Sequence, residues 1–92
     1  MKKLQPTTQF KKDYKRIKNN PNKVKDLQEI LEMLKNEQPI PAEYKPHLLH
    51  GEYKSCLECH VQNDFLLIWY DDKNDIIELV RLGSHSELFK KY

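Results

Sequence analysis

Residues 52–82 read EYKSCLECHVQNDFLLIWYDDKNDIIELVRL, and the periodicity of this stretch decides the fold class. Tyr53, Ser55, Leu57, Cys59 and Val61 alternate with Glu52, Lys54, Cys56, Glu58 and His60. A period of two with apolar residues on one side predicts a strand with one buried and one wet face. Gln62-Asn63-Asp64 reads as a turn. Phe65 to Tyr70 (FLLIWY) is apolar at every position, which predicts a central strand covered on both faces. Asp71-Asp72-Lys73-Asn74 reads as a hairpin loop, and Ile76 to Leu82 as a third strand. Gly83 ends it, and Ser84 or Ser86 caps a last short helical turn through Phe89.

Upstream the period is helical. Phe10, Tyr14 and Ile17 fall at i, i+4 and i+7, with Thr7 or Thr8 placed to cap. Asn19-Asn20-Pro21-Asn22 breaks that helix. Val24, Leu27, Ile30, Leu31 and Leu34 form the stripe of a second helix starting near Asn22. Asp26 and Glu29 lie in its early turns, where they complement the helix dipole. Residues 36–51 carry Pro39, Pro41 and Pro46 and read as a stiff sixteen-residue loop, long enough to suggest a function. A short run from Lys2 to Gln5 is a candidate fourth strand before Pro6. Two helices followed by a three-stranded meander predict an α+β domain, with the helices packed on one side of a mostly antiparallel four-stranded sheet.

Ninety-two residues predict one domain spanning 1–92. The chain is 38% hydrophobic and 33% charged, too apolar for a disordered tail and too charged for a membrane protein. The start, Met1-Lys2-Lys3-Leu4-Gln5-Pro6, lacks an apolar signal-peptide core, and two cysteines cannot build a secreted disulfide framework. The expectation is a soluble, reduced, cytoplasmic protein. Its net charge of +2 is polarised. Residues 1–25 carry nine Lys or Arg against one acid, a net +8, and residues 26–92 carry a net −6. Lys11, Lys12, Lys15, Arg16 and Lys18 are dense enough to attract a phosphate backbone or an acidic protein segment.

Two constellations carry possible chemistry. Cys56-Leu57-Glu58-Cys59 is a CxxC, but a second ligand pair is missing, and a separation of three inside a strand puts the thiols on opposite faces. A zinc or redox site is therefore disfavoured, and Cys59 reads as a small core residue. The histidines point elsewhere. His47 and His50 sit at the end of the stiff loop, His60 near the end of the first meander strand, Asp64 across the next turn, and His85 just past the last strand. Two or three imidazoles, a carboxylate and Arg81 are thus placed to converge on one face. RNA carries its own nucleophile, the 2′-OH. Metal-free cleavage needs a group to take that proton, a group to protonate the leaving 5′ oxygen, and a cation on the phosphate. Imidazole titrates near neutral pH and suits the first two roles. No Gly-rich phosphate loop, GxSxG or HExxH occurs, which argues against nucleotide hydrolases, serine esterases and zinc proteases.

Three segments of the chain resemble one family. Ala42 to Tyr53 resembles the Y-x-x-H-x-L-x-G-x-(W/Y) segment of YafQ toxins, members of the RelE/ParE superfamily of bacterial type II toxin–antitoxin systems. Cys59-His60-Val61 with Asp64 and Ile68-Trp69-Tyr70 resembles their H-V-x-x-D-(W/F)-x-L-x-Y strand pair. Arg81 to Phe89 is similar to their R-x-G-(S/T)-H-x-x-L-F ending. Phe65 stands where many relatives have Trp, His50 where they carry Gln or another polar residue, and Cys56 has no counterpart.

The resemblance implies a β-α-α-β-β-β fold and an endoribonuclease that cuts translated mRNA in the ribosomal A site without a metal or other cofactor. It implies a catalytic set of His47, His60, Asp64, His85 and Phe89, with His85 as general acid and His47 as general base. His60 and Asp64 would orient the base or the phosphate, Arg81 would stabilise the phosphorane, and Phe89 would stack on or position a nucleobase. Lys11, Lys12, Lys15, Arg16 and Lys54 would bind RNA. The implied partners are mRNA, the ribosome and a neighbour-encoded antitoxin with a DNA-binding N-terminus, through which operator DNA is met indirectly; no membrane is involved. The alternative on the same scaffold is a non-catalytic or gyrase-directed ParE-like toxin.

Overall fold

The helical segments form where capping side chains and apolar stripes coincide. The structure, a computed structural model, describes residues 1–72 and 74–89; Lys73 of the expected hairpin loop lies outside them. Helix α1 spans Thr8–Ile17, and the Thr7 hydroxyl accepts from the Phe10 N–H at its start. Helix α2 spans Pro21–Lys35, with Pro21 at its first position and Asn20 accepting from Lys23 N–H. The apolar stripes of both helices enter one core with Cys59, Val61, Phe65, Leu67, Trp69, Ile77, Leu79 and Leu82 from one face of the sheet.

Strands β1 (Lys3–Pro6), β2 (His47–Leu48), β3 (Leu57–Gln62), β4 (Phe65–Asp71) and β5 (Ile76–Gly83) form one sheet in the order β1-β5-β4-β3-β2. The sheet therefore has five strands where the pattern predicts four. The extra one, β2, is only two residues long, too short to show a period. It lies inside the expected loop and pairs His47 with Glu58 and Leu48 with Leu57. β1 pairs with β5 in parallel and every other pair is antiparallel.

The first meander strand is also shorter than its alternation suggests. Gly51 and Ser55 take φ values of +75° and +74°, which interrupt extended backbone, and a 3₁₀ turn fills Gly51–Tyr53. Pairing with β4 then begins at Leu57.

β4 is buried on both faces, as its composition predicts. Phe65, Leu67 and Trp69 join the helical core, whereas Leu66 and Ile68 join a smaller cluster beneath Leu88. Leu49, Tyr53, Cys56, Val80 and Phe89 complete that second cluster. A register shift between β4 and β5 pairs Ile68 with Arg81 and Trp69 with Leu79. The bulge lets Leu79 and Leu82, three residues apart, serve the same core. Helix α3 (His85–Leu88) begins at a reciprocal cap: the Ser84 hydroxyl accepts from Glu87 N–H while the Glu87 carboxylate accepts from Ser84 N–H.

The two cysteines fall in different cores, Cys59 with the helices and Cys56 with the cluster under Leu88. Burial pushes the Cys59 thiol up to about 12 and raises that of Cys56. Among the described residues no group of three His, Cys, Asp or Glu side chains is arranged to hold a metal ion. Under native conditions a disulfide reagent at pH 8 is expected to label Cys56 slowly and Cys59 only after unfolding. Two fast equivalents in folded protein would contradict this packing.

Candidate active site

Three of the four histidines form a row across the end of the sheet. The His47 and His60 ring centroids are 6.4 Å apart, and those of His60 and His85 are 5.5 Å apart. The topology produces this. β3 and β5 each run antiparallel to β4, so both end at the same edge; His60 lies near the end of β3 and His85 just beyond β5. His47 enters from β2, opposite Glu58 and two residues from His60 on the neighbouring strand. His50 precedes the 3₁₀ turn at Gly51 and lies outside the row.

The outer two imidazoles are each held by a carboxylate. Asp64 Oδ1 sits 2.8 Å from His85 Nδ1 and accepts from the His85 backbone N–H at 3.0 Å. These bonds from His85 hold the Asp64 carboxyl below its usual range. With Nδ1 committed to Asp64, the Nε2 of His85 is the nitrogen left to exchange a proton with a ligand. At the other end, His47 Nε2 lies 3.1 Å from Glu58 Oε1, and Nδ1 donates to the Lys45 carbonyl at 2.7 Å. The His60 side chain, between them, makes no hydrogen bond to any described residue.

Phe89 stands at the His85 end, with ring centroids 6.3 Å apart, and meets Tyr53 edge-to-face at 5.6 Å. The row is thus bordered by an aromatic ring that is only partly buried.

Arg81 is engaged inside the protein. Its Nε donates to Asp13 Oδ2 at 2.8 Å, Nη2 to Asp13 Oδ1 at 3.3 Å, and Nη1 to the Tyr53 hydroxyl at 3.2 Å. That hydroxyl in turn donates to the Leu88 carbonyl. Asp13 also accepts from the Leu82 N–H at 2.9 Å and its side chain is fully buried. The expected phosphate cation is therefore also the strut that ties α1 to β5 and α3.

Of the basic residues, Lys11, Lys12, Lys15 and Lys54 are exposed. Arg16 pairs with Glu87 of α3 at 3.3 Å. Two functional candidates escape the sequence reading. Glu58 alternates with the wet side of β3 yet is buried, and Asp13 is the single acid of the basic N-terminal block. That lone acid is the one signal that pointed to it.

The carboxylates at α3 carry a pH consequence. Asp64 is lowered by its bonds from His85, and Glu87 by its bond from the Ser84 N–H. A carboxyl lowered in the folded state stabilises it above the unfolded value, and that contribution is lost as pH falls through the folded value. The amide proton resonances of His85 and Ser84 are therefore expected to titrate with midpoints below the ordinary values of about 3.9 and 4.3. Midpoints at or above those values would contradict the geometry of α3.

This fold recurs in known proteins. A family described as the bacterial toxin of type II toxin–antitoxin system, YafQ, matches residues 2–90. The mRNA interferase toxin YafQ of Escherichia coli strain K12 is 38% identical over 68 residues, covering 74% of this chain and 71% of that protein. The crystal structure of a metal-bound toxin from Helicobacter pylori superposes with a TM-score of 0.86 at 39% identity, covering 97% of this chain and 100% of that one. In the E. coli DinJ–YafQ toxin–antitoxin complex, the matching chain gives a TM-score of 0.83 at 29% identity, covering 96% of this chain and 97% of its own. The fold and these matches define an α+β toxin of the type II toxin–antitoxin class. Within that class, the chain belongs to the YafQ family.

Proposed function

We propose that this toxin is an endoribonuclease that cuts translated mRNA in the ribosomal A site by histidine acid/base catalysis. The observation that carries the reading is the row of three imidazoles with a carboxylate on each outer member. One imidazole of the row removes the 2′-OH proton, and the alkoxide attacks the adjacent phosphorus. The 5′ oxygen leaves with a proton from His85 Nε2, and a 2′,3′-cyclic phosphate remains. Asp64 steadies the charged form of His85 before that transfer. Arg81, through its remaining N–H groups, and the neighbouring imidazolium face the phosphorane charge, and Phe89 stacks against a nucleobase. No step in this scheme calls for a metal ion or other cofactor.

Lys11, Lys12, Lys15, Arg16 and Lys54 supply the phosphate-facing charge that holds message and ribosome. The antitoxin fits the same half of the molecule. Lys11, Lys15 and Lys18 rim a groove of about 490 Å³ floored by Phe10, Tyr14 and Leu31. An acidic amphipathic segment of a neighbour-encoded antitoxin matches that groove in charge and apolarity. Operator DNA is then met through the antitoxin's DNA-binding half. No helix among the described residues is long and apolar enough to cross a membrane, and the proposed setting is the cytoplasm, with residues 1–92 acting as one domain.

Primer extension on a reporter mRNA after induction tests the reading. Discrete new 5′ ends inside the reading frame, lost when the start codon is removed, are expected. Growth arrest with intact mRNA would point instead to a gyrase-directed relative of ParE.

A further inference from the structure

The catalytic scheme leaves one buried acid unused. Glu58 is 3% exposed, its Oε1 meets His47 Nε2 at 3.1 Å, and its Oε2 is buried with no hydrogen-bond partner among the described residues. Joining β2 to β3 does not require a carboxylate, and an orphaned carboxylate oxygen in a buried site is costly. The charge calls for another explanation.

The other nitrogen of His47 supplies it. Nδ1 lies 2.7 Å from the Lys45 carbonyl. A carbonyl oxygen only accepts, so Nδ1 carries a proton and donates. Lys45 is held for this contact: it ends the 3₁₀ turn Ala42–Tyr44 with φ +50°, and Pro46 follows directly. Two states then satisfy the Nε2–Oε1 contact. Either an imidazolium donates to the Glu58 carboxylate, or a protonated Glu58 donates to the neutral ring. Each places one proton between the two atoms. The remaining state, a bare Nε2 against a carboxylate, sets lone pairs against each other and is repulsive.

We propose that Glu58 is a positioning residue of the active site that shares a single proton with His47 and keeps the His47 lone pair from the substrate. This rests on reading the histidine row as the nuclease site. With both His47 nitrogens committed, His60 is the imidazole of the row whose nitrogens engage no described residue. The 2′-OH proton passes to His60, which becomes the imidazolium; the electrons of that O–H bond form the new O–P bond, and those of the P–O5′ bond leave with oxygen, which takes the His85 proton. His47, clamped 6.4 Å from His60, sets the polar wall of the site. The family resemblance alone places His47 as the base, and the hydrogen bonds reassign that role.

Ring-nitrogen NMR of ¹⁵N-labelled toxin at pH 7 tests the proton sharing without RNA. In the wild type, Nδ1 of His47 is expected to bear a proton and Nε2 to resonate between its protonated and bare positions. In Glu58→Gln, which keeps the shape and donates an amide N–H, Nε2 of His47 should move to the bare position while the His85 signals stay. A wild-type His47 with a bare Nδ1 would overturn the proposal even if the variant fails to fold. An unchanged His47 spectrum in folded Glu58→Gln would overturn it as well. In cleavage of ribosome-bound message, Glu58→Gln is expected to lower kcat by roughly 10- to 100-fold, part of what a positioned acid or base contributes, with KM unchanged. Full kcat in that variant would also overturn the proposal. Wild-type toxin that cuts no message would remove the nuclease reading, while the NMR arm still decides where the proton lies.

Discussion

Induced His85→Ala toxin is expected to leave reporter mRNA intact and cells growing, where the wild type produces new 5′ ends in the reading frame. In the proposed scheme His85, whose Nδ1 is held by Asp64 at 2.8 Å, gives a proton to the leaving oxygen from Nε2. Expulsion of a 5′ alkoxide without a proton is slow, and a positioned general acid contributes about 10²- to 10⁴-fold. A loss of that size takes cleavage below what arrests growth. The fold should survive, because the His85 side chain is 54% exposed and its backbone N–H still donates to Asp64 after truncation. Exposed substitutions of this kind change stability by only about 0.5 kcal/mol, so the variant should melt with the wild type. A folded His85→Ala protein that still cuts mRNA at the same codons would remove His85 from the chemistry and return its bond with Asp64 to a helix-capping role.

The elements that set the fold were legible because each carries a local signal. FLLIWY at 65–70 is apolar at every position and lies at the centre of the sheet. Thr7 and Ser84 cap where their positions suggest. His60 and His85 meet because strands that run the same way end at the same edge, which the meander itself implies. What escaped depends on partners distant in sequence. β2 is two residues long and is defined only by Glu58 and Leu57 across from it. The parallel pairing of β1 with β5 follows from the path of two helices, which no residue of Lys3–Pro6 encodes. Glu58 alternates with polar neighbours and reads as wet; it is buried where β2 pairs with β3 and brings His47 against it. The commitment of Arg81 lies 68 residues away in Asp13.

That long-range pair sets the second large effect. Asp13→Ala is expected to destabilise the toxin by about 3–5 kcal/mol, the usual consequence of removing one partner of a buried ion pair. The Asp13 side chain is fully buried and receives hydrogen bonds from Arg81, Leu82 N–H and Gln9. Its removal leaves the Leu82 N–H and most of the guanidinium, 18% exposed, without their acceptors in a largely buried site. For a chain of this size each kcal/mol moves Tm by about 4–8 °C, so a fall beyond about 12 °C is expected. The damage should spread to the active site, since Arg81 also holds the Tyr53 hydroxyl, and Tyr53 holds both the Leu88 carbonyl and the Phe89 ring. A double variant separates charge from packing. Asp13→Leu with Arg81→Met removes both ions together and is expected to recover most of the lost Tm, because buried pairs can be replaced by apolar groups at little net cost. Arg81→Met alone strands the Asp13 carboxylate and should melt as low as Asp13→Ala. If Arg81 serves the phosphate as well as the fold, the double variant will be stable and still impaired in cleavage. Full activity in that stable variant would make Arg81 purely a strut, and a fall in Tm below about 4 °C for Asp13→Ala would show that the pair contributes little to the fold.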